Sequence, residues 1–343
     1  MPGVERDAWV ADPAVAWQIL LEADLEQVPD VAVLQSRVDA LNTTLGSPTS
    51  EVVSSSDPVV LRSRMSQGSS VAVAVGISDR HLVISAQHHY LDGLALLTVL
   101  GSVTDSTVRS SARGTAGRDV VAPGLRTLLQ RLGEVVFTPP ARIARARTHA
   151  SKDRTAPDVF ARVSVPRSVV PADLVHAAVA ATGAFNTRAG ARRRRTAIAI
   201  GVSQVDGASA GLGDHSALLR LRDLEGRSRE EVARLVREAP LQPAPVPSGT
   251  GVLIRVATKV ALRLFGRRLG STLLVSHLGS VTAPRGLVSS LSFHPVTGGG
   301  SGVSVGAVEL GGTTTLSARA RAHQHTPESL AALLDDVVAG LPS

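Results

Sequence analysis

A short apolar run at Leu82–Ile84 leads directly into Ser85-Ala-Gln-His-His-Tyr-Leu-Asp-Gly93. Leu94, Leu97 and Leu100 follow at helical spacing. This order predicts a buried strand, a tight turn and an apolar helix, an arrangement that lifts a polar side chain off a sheet edge into a cleft. His88 and Asp92 lie four residues apart within the turn, and Gly93 comes next. An imidazole that titrates near neutrality is suited to taking a proton from a hydroxyl or an amine, and a nearby carboxylate can hold the ring or the loop. Gly93 carries no Cβ and lets another backbone or a thin cofactor arm pass close to the start of the helix.

The 343 residues are enough for one large or two ordinary domains with a full core. Ala, Val and Leu supply most of that core, and the aromatics are only two Trp, one Tyr and five Phe. So few rings argue against base-stacking nucleic-acid modules and aromatic cages. The Ala/Arg/Val-heavy usage points to a high-GC bacterium. With no cysteine there is no disulfide or thiol chemistry, as in a cytoplasmic protein. The N-terminus lacks the basic start and apolar centre of a signal peptide. No apolar run reaches the roughly 20 residues of a membrane span. The net charge of +7 is clustered at Arg142–Arg154, at Arg192–Arg195, and at Arg263, Arg267 and Arg268. Such groups are ordinarily solvated loops and helix faces. Their sharper readings are a site for coenzyme A phosphates, for an acidic carrier protein or for anionic lipid at a membrane surface. No nucleic-acid motif accompanies them.

Along the chain, Val15–Ala23 reads as a strand, and Asp30 opens a helix with Val31, Leu34, Val38 and Leu41 on one face, ended by Gly46. Val59–Arg62 and Val71–Val75 read as strands, and Ser78-Asp-Arg80 as the turn before the His88 strand. A loop spans Thr104–Val121, and a helix runs from Pro123 to about Val136. The basic, Pro-flanked Ala141–Pro157 reads as a linker, so that 146–157 separates halves at 1–145 and 158–343. The second half starts with a strand near Phe160–Val165, a helix from Pro171 to about Thr182 and a strand over Thr196–Ser203. Ser228-Arg-Glu-Glu231 is a capping box, and Val252–Phe265 reads as a basic amphipathic helix. Strand Leu273–Val275 runs into a turn at Ser276-His-Leu-Gly279. Gly298–Gly302 reads as a flexible turn rather than a phosphate loop, since a strand follows it. Val303–Glu309 and Thr313–Arg321 form a hairpin through Gly311-Gly312, and Thr326-Pro327 caps a final helix.

His88-x-x-x-Asp92-Gly93, placed after a strand and before an apolar helix, resembles the motif of the condensation-type, chloramphenicol-acetyltransferase-like, coenzyme-A-dependent acyltransferases. Their signature is His-His-x-x-x-Asp-Gly. The spacing aligns Gln87 with the first His and His88 with the second, the family's general base. The resemblance covers nearly the whole chain, although only the His motif is specific. It implies an α/β fold with mixed sheets, built as two chloramphenicol-acetyltransferase-like halves with the active site at their interface. It further implies that acyl-CoA, or an acyl group on a carrier's phosphopantetheine, enters as co-substrate, with no permanently bound cofactor. The acceptor would be a small hydroxyl or amine compound. Asp92 would be an orienting residue and Gly93 a close-approach point. Gln87, His89, Ser276, His277 and Gly279 would line the substrate channel.

Five features depart from the family pattern, four of them being that Gln87 replaces a His, His277 replaces an Asn, Asp214-His215 replaces Gly-Asn, and the second half is short of helical material. The arginine that usually pairs with the motif Asp is missing after Val202-Ser203, where Gln204-Val205 stand instead. Either another arginine serves or the loop is held in a different way. His277 reads either as a turn histidine or as a channel residue facing His88. These departures keep open a condensation-like protein that binds an acyl or carrier partner without turnover. No metal site is expected, because His88-His89 and His323/His325 lack motif-spaced partners. A Ser-His-Asp hydrolase is a poor fit, since no Gly-x-Ser-x-Gly elbow precedes a helix.

Overall fold

A computed structural model describes residues 17–121, 133–134, 137–146, 151, 153, 156–191, 195–242, 270–297 and 302–342. The expected helices at 123–136 and 252–265 lie wholly or largely outside the described residues. So do Arg147, Lys152, Arg154, Arg192–Arg194, Arg263, Arg267, Arg268 and residues 298–301 of the Gly-rich turn.

The first half begins with β1 (Gln18–Leu25), α1 (Val31–Thr44), β2 (Val53–Ser54) and α2 (Pro58–Met65). It continues with β3 (Val73–Ser78), β4 (His81–Gln87), α3 (Gly93–Thr104) and β5 (Arg109–Ser110). The second half holds β6 (Asp158–Val165), α4 (Pro171–Arg188), β7 (Ala197–Ser203), β8 (Ser216–Arg222) and α5 (Arg229–Glu238). It ends with β9 (Leu273–Thr282), β10 (Val288–His294), β11 (Val303–Leu310), β12 (Thr313–Arg321) and α6 (Pro327–Ala339). Among the described residues the strands form two mixed sheets, in the orders β10-β1-β4-β3-β2 and β6-β12-β11-β9-β7-β8. Thus β10, from late in the chain, pairs antiparallel with β1. In the other direction β5 pairs with β9 in the second sheet. Each half therefore donates a strand to the sheet of the other.

The expected mixed α/β architecture in two parts is what the chain adopts. Asp30 caps α1 by accepting from the Ala32 amide at 2.8 Å, and Gly46 follows that helix with φ +63°. α1 and α3 cover one face of the first sheet with Leu34, Val38, Leu97 and Leu100 against Ile19, Leu21, Ile84 and Val75. α4 and α6 do the same for the second sheet, with Leu174, Ala178, Leu330 and Leu334 against Ile198, Val275 and Val305.

Four local expectations change, the first being that the loop expected over Thr104–Val121 contains strand β5. Val59–Arg62 is helical, not a strand: Asp57 accepts from the Val59 amide at 2.7 Å and Pro58 takes the first helical position. That cap outweighs the β-preference of Val59 and Val60, which stay exposed while Leu61 and Met65 point into the sheet. Residues 276–279 are not a turn but the middle of β9, with Gly279 at φ +79° where the pairing to β11 shifts register. The helix expected to end near Thr182 continues to Arg188.

Between the halves lies a buried polar layer. Glu22, in the centre of β1, meets Arg62 in a bidentate pair, His294 at 2.7 Å and His81 at 3.0 Å. Burial alone would raise the Glu22 carboxyl, but His294, His81 and Arg62 outweigh it and hold it well below the usual range. Arg319 of β12 is fully buried. It reaches Asp158 at 2.8 Å and the Gln18 carbonyl, in the first half, at 2.6 Å. Its guanidinium also lies 5.5 Å from the centre of the Phe160 ring. Removing one partner of such a buried pair strands the other charge and costs about 3–5 kcal/mol. Arg319→Ala should therefore lower the urea unfolding free energy by about that amount; a loss under 1 kcal/mol would contradict the assignment.

The buried His325 adds a pH dependence. Burial first, then Arg145 and His323, pushes its imidazole from 6.5 down to about 4. The unfolded chain takes up this proton before the folded one does, so stability present above pH 6.5 erodes as pH falls toward 4, by up to about 3 kcal/mol. His325→Gln should make the acid limb of a stability–pH profile shallower.

Candidate active site

β4 ends at Gln87, which pairs with Gln18 of β1. The Gln87 carbonyl accepts from the Tyr90 amide at 2.9 Å and the Leu91 amide at 3.3 Å, which closes a tight turn around His88. The His88 amide donates to the Trp17 carbonyl at 2.8 Å, so the turn stays attached to the sheet edge. Leu91 is fully buried and anchors the far side. Asp92 then caps α3 by accepting from the Ala95 amide at 2.9 Å. His88 thus stands just beyond the sheet on a turn anchored at both ends, with 20% of its side chain exposed.

The second half closes on this turn through the connection between β7 and β8. The Asp92 amide donates to the Gly213 carbonyl at 3.1 Å. The other carboxylate oxygen of Asp92 accepts from the His215 amide at 3.2 Å and from the Ser203 hydroxyl at 3.4 Å. Further along α3, the Thr98 hydroxyl donates to the Ala210 carbonyl at 3.2 Å. Among the described residues no arginine pairs with Asp92. Within them, a hydroxyl and a backbone amide meet the carboxylate oxygen that faces the second half. Burial raises the Asp92 carboxyl above its ordinary value, and nearby Asp214 adds to this. The Ala95 and His215 amides and His88 work in the opposite direction.

The same junction explains Gly93. A Cβ there would sit 2.7 Å from Leu278 Cδ2 and 2.9 Å from Phe293 Cζ. The neighbours that need the space are therefore side chains of β9 and β10, not a ligand arm. Asp214, noted in the sequence only as a departure, stands opposite His88, with Oδ1 3.9 Å from Nδ1. No sequence signal joins the two residues, because they belong to different halves.

The remaining candidates are spread out. The Gln87 side chain donates to the Ser69 carbonyl and supports the strand end. His89 is exposed and lies against Tyr90, ring centres 4.4 Å apart. On β9, Leu278 points at Gly93, and strand alternation puts Ser276 on that same face, beside Gly201 of β7. His277 takes the opposite face. Its Nδ1 accepts from the Gly279 amide at 2.8 Å, so Nε2 carries the proton and donates to the Val169 carbonyl at 2.7 Å. Burial lowers its pKa, which keeps the ring neutral. The channel position facing His88, one of the two alternatives for this residue, is not where the fold puts it. Gly279 is required by the crossing strand: a Cβ would meet the Ala112 amide nitrogen at 2.7 Å.

No protein-family model matches the chain, and no curated protein is similar to it in sequence. Solved structures are similar in shape. The first condensation domain of the CDA synthetase superposes with a TM-score of 0.56 at 13% identity, over 96% of this chain and 91% of that one. The chain has the condensation-domain fold. Other examples of this fold are the EpoB cyclization-docking bidomain from Sorangium cellulosum and the starter condensation domain of rhizomide synthetase RzmA. The first superposes with TM-score 0.54 at 12% identity, over 95% of this chain and 79% of that one. The second, a mutant solved with C8-CoA, gives TM-score 0.53 at 14% identity, over 94% and 88%. Among the described residues of this condensation-fold chain, no cluster of three or more His, Cys, Asp or Glu is placed to hold a metal ion. No helix among them is long and apolar enough to cross a membrane.

The Gly93 contacts give a test of how the halves close. Gly93→Ala should lower stability by about 1–3 kcal/mol through overpacking. The Leu278→Ala background should recover part of that loss in a double-mutant cycle, and strict additivity would argue against the contact.

Proposed function

We propose that the protein transfers an acyl group from a thioester to a hydroxyl or amine acceptor, with His88 as general base. The observation that carries this reading is the placement of His88. It stands on a doubly anchored turn where the two halves meet, within His-x-x-x-Asp-Gly, in a chain with the condensation-domain fold. In the reaction, His88 removes the acceptor proton as the acceptor oxygen or nitrogen attacks the thioester carbonyl. The tetrahedral oxyanion is held by backbone or hydroxyl donors until the C–S bond breaks. The sulfur leaves with the electron pair and takes up the proton from the imidazolium, giving an ester or amide and a free thiol. No covalent acyl-enzyme is required.

The donor is acyl-CoA or an acyl phosphopantetheine on an acidic carrier, and the thiol arm enters between the halves. The basic stretches proposed to attract these anions lie mostly outside the described residues, and Arg195 is paired with Asp223 at 3.0 Å. In this mechanism Asp92 holds the loop and does not touch the reacting atoms. A second reading, a condensation-like binder without turnover, is favoured by Gln87 in place of the first motif histidine.

Thiol release from short and long acyl thioesters, with and without alcohol or amine acceptors, separates the two. Removal of a positioned general base costs roughly 10²–10⁴-fold in rate. His88→Ala should lose acceptor-dependent release to that extent while retaining fold and donor binding. Asp92→Ala should lose activity and stability together. Release that needs no acceptor would indicate hydrolysis. Donor binding without release under any acceptor would replace the transferase with the silent binder.

A further inference from the structure

The carboxylate opposite His88 belongs to a segment whose position is set with unusual care. Gly213, immediately before Asp214, accepts from the Asp92 amide at 3.1 Å. His215, immediately after it, donates its amide to the Asp92 carboxylate at 3.2 Å. Asp214 is thus held between two hydrogen bonds to one residue, and that residue lies four positions after His88 on the same turn. The Asp214 side chain is steadied as well, since Oδ1 accepts from the Ser216 amide at 2.9 Å. The outcome is Oδ1 at 3.9 Å from His88 Nδ1, with 17% of the Asp214 side chain exposed and 20% of that of His88. This is an ion-pair distance rather than a hydrogen bond, and such contacts in unliganded sites commonly tighten when substrate binds.

We infer that Asp214 is the positioning residue for His88: its carboxylate favours the proton on Nδ1, so that Nε2 is the unprotonated nitrogen that acts as the base. Asp92 does not fill this role. Its two oxygens are taken by the Ala95 and His215 amides and the Ser203 hydroxyl, and it is buried at the helix cap. The clamp through Gly213 and His215 instead gives Asp92 the task of presenting Asp214. As the base accepts the acceptor proton on Nε2, the ring becomes an imidazolium, and the Asp214 charge stabilises it until the proton passes to the leaving sulfur. This assignment rests on His88 being the base, but its ground-state consequence does not need turnover.

The test uses the full chain with ¹⁵N-labelled histidine. Long-range ¹H–¹⁵N correlation reads which ring nitrogen of neutral His88 bears the proton, with His88→Gln identifying its signals. The wild-type ring should carry the proton on Nδ1. Asp214→Asn keeps an amide oxygen for the Ser216 amide, removes the charge and exchanges the second carboxylate oxygen for an NH2 group. In that variant the population should move to Nε2–H, the form favoured by a free imidazole, without a change in melting temperature. Where thiol release is measurable, Asp214→Asn should lower kcat by about 10–100-fold, less than in a fully buried triad because the pair is partly exposed. The donor KM should not change, and Asp214→Glu should restore part of the rate. A wild-type Nε2–H tautomer, or one that Asp214→Asn leaves unaltered, overturns the assignment. A tautomer shift in a protein without thiol release would keep Asp214 as the positioning residue and remove the transferase reading instead.

Discussion

One buried carboxylate holds the site together. Asp92 caps α3 at the buried Ala95 amide with one oxygen and receives the second half of the molecule with the other. A helix cap is ordinarily a local device, worth about 1 kcal/mol to its own helix. Here the same group is also the docking point for the β7–β8 connection, and burial raises its pKa above the ordinary value. The arrangement is satisfied by hydrogen bonds alone. A guanidinium at this point would supply charge, whereas the Ser203 hydroxyl and the His215 amide supply direction. Direction is what places the neighbouring backbone, and with it Asp214, over His88.

The junction around this carboxylate is strengthened by the exchange of strands. β10 lies against β1, and β5 lies against β9. Opening the cleft widely would break ladder hydrogen bonds of both sheets. Gly93 and Gly279 mark the two places where the crossing segments come closest, α3 to Leu278 and Phe293, and β9 to the 110–112 segment. The polar layer around Glu22 and Arg319 lies on the same boundary. Apolar residues of similar volume would often stabilise such a boundary as well or better. Two of its contacts join the sheets, Arg319 with the Gln18 carbonyl and Arg162 of β6 with Glu22 at 3.8 Å, and both need one relative placement of the sheets. The layer therefore specifies how the halves meet.

Chemistry at such a junction follows from what each part contributes. The first half supplies the imidazole on a turn fixed by the Gln87 carbonyl and the Trp17 carbonyl. The second supplies a carboxylate and the Ser276 face of β9. The one histidine expected to look back across the cleft, His277, instead ties β9 to the segment before α4 through Val169.

Much of this was readable from local pattern. The strand–turn–helix around His88, the caps at Asp30, Ser228 and Thr326, and the Gly311-Gly312 hairpin depend on residues within a few positions of one another, and each formed as its chemistry dictates. The fold class and the motif followed from their order. Where a local cue was outweighed, at Val59–Arg62, the winning signal was also local: Asp57 and Pro58. The partners of Asp92, the space demanded by Gly93, the face chosen by His277 and the meeting of His88 with Asp214 were decided only in three dimensions. Each depends on a contact between residues more than a hundred positions apart, and periodicity reports which face of a strand is buried but not what covers it. A one-residue shift at the Gly279 bulge reverses which side chains of β9 face the cleft. The 110–112 segment runs beside β9 at that point and leaves no room for a Cβ at Gly279, a neighbour that only the assembled sheet provides.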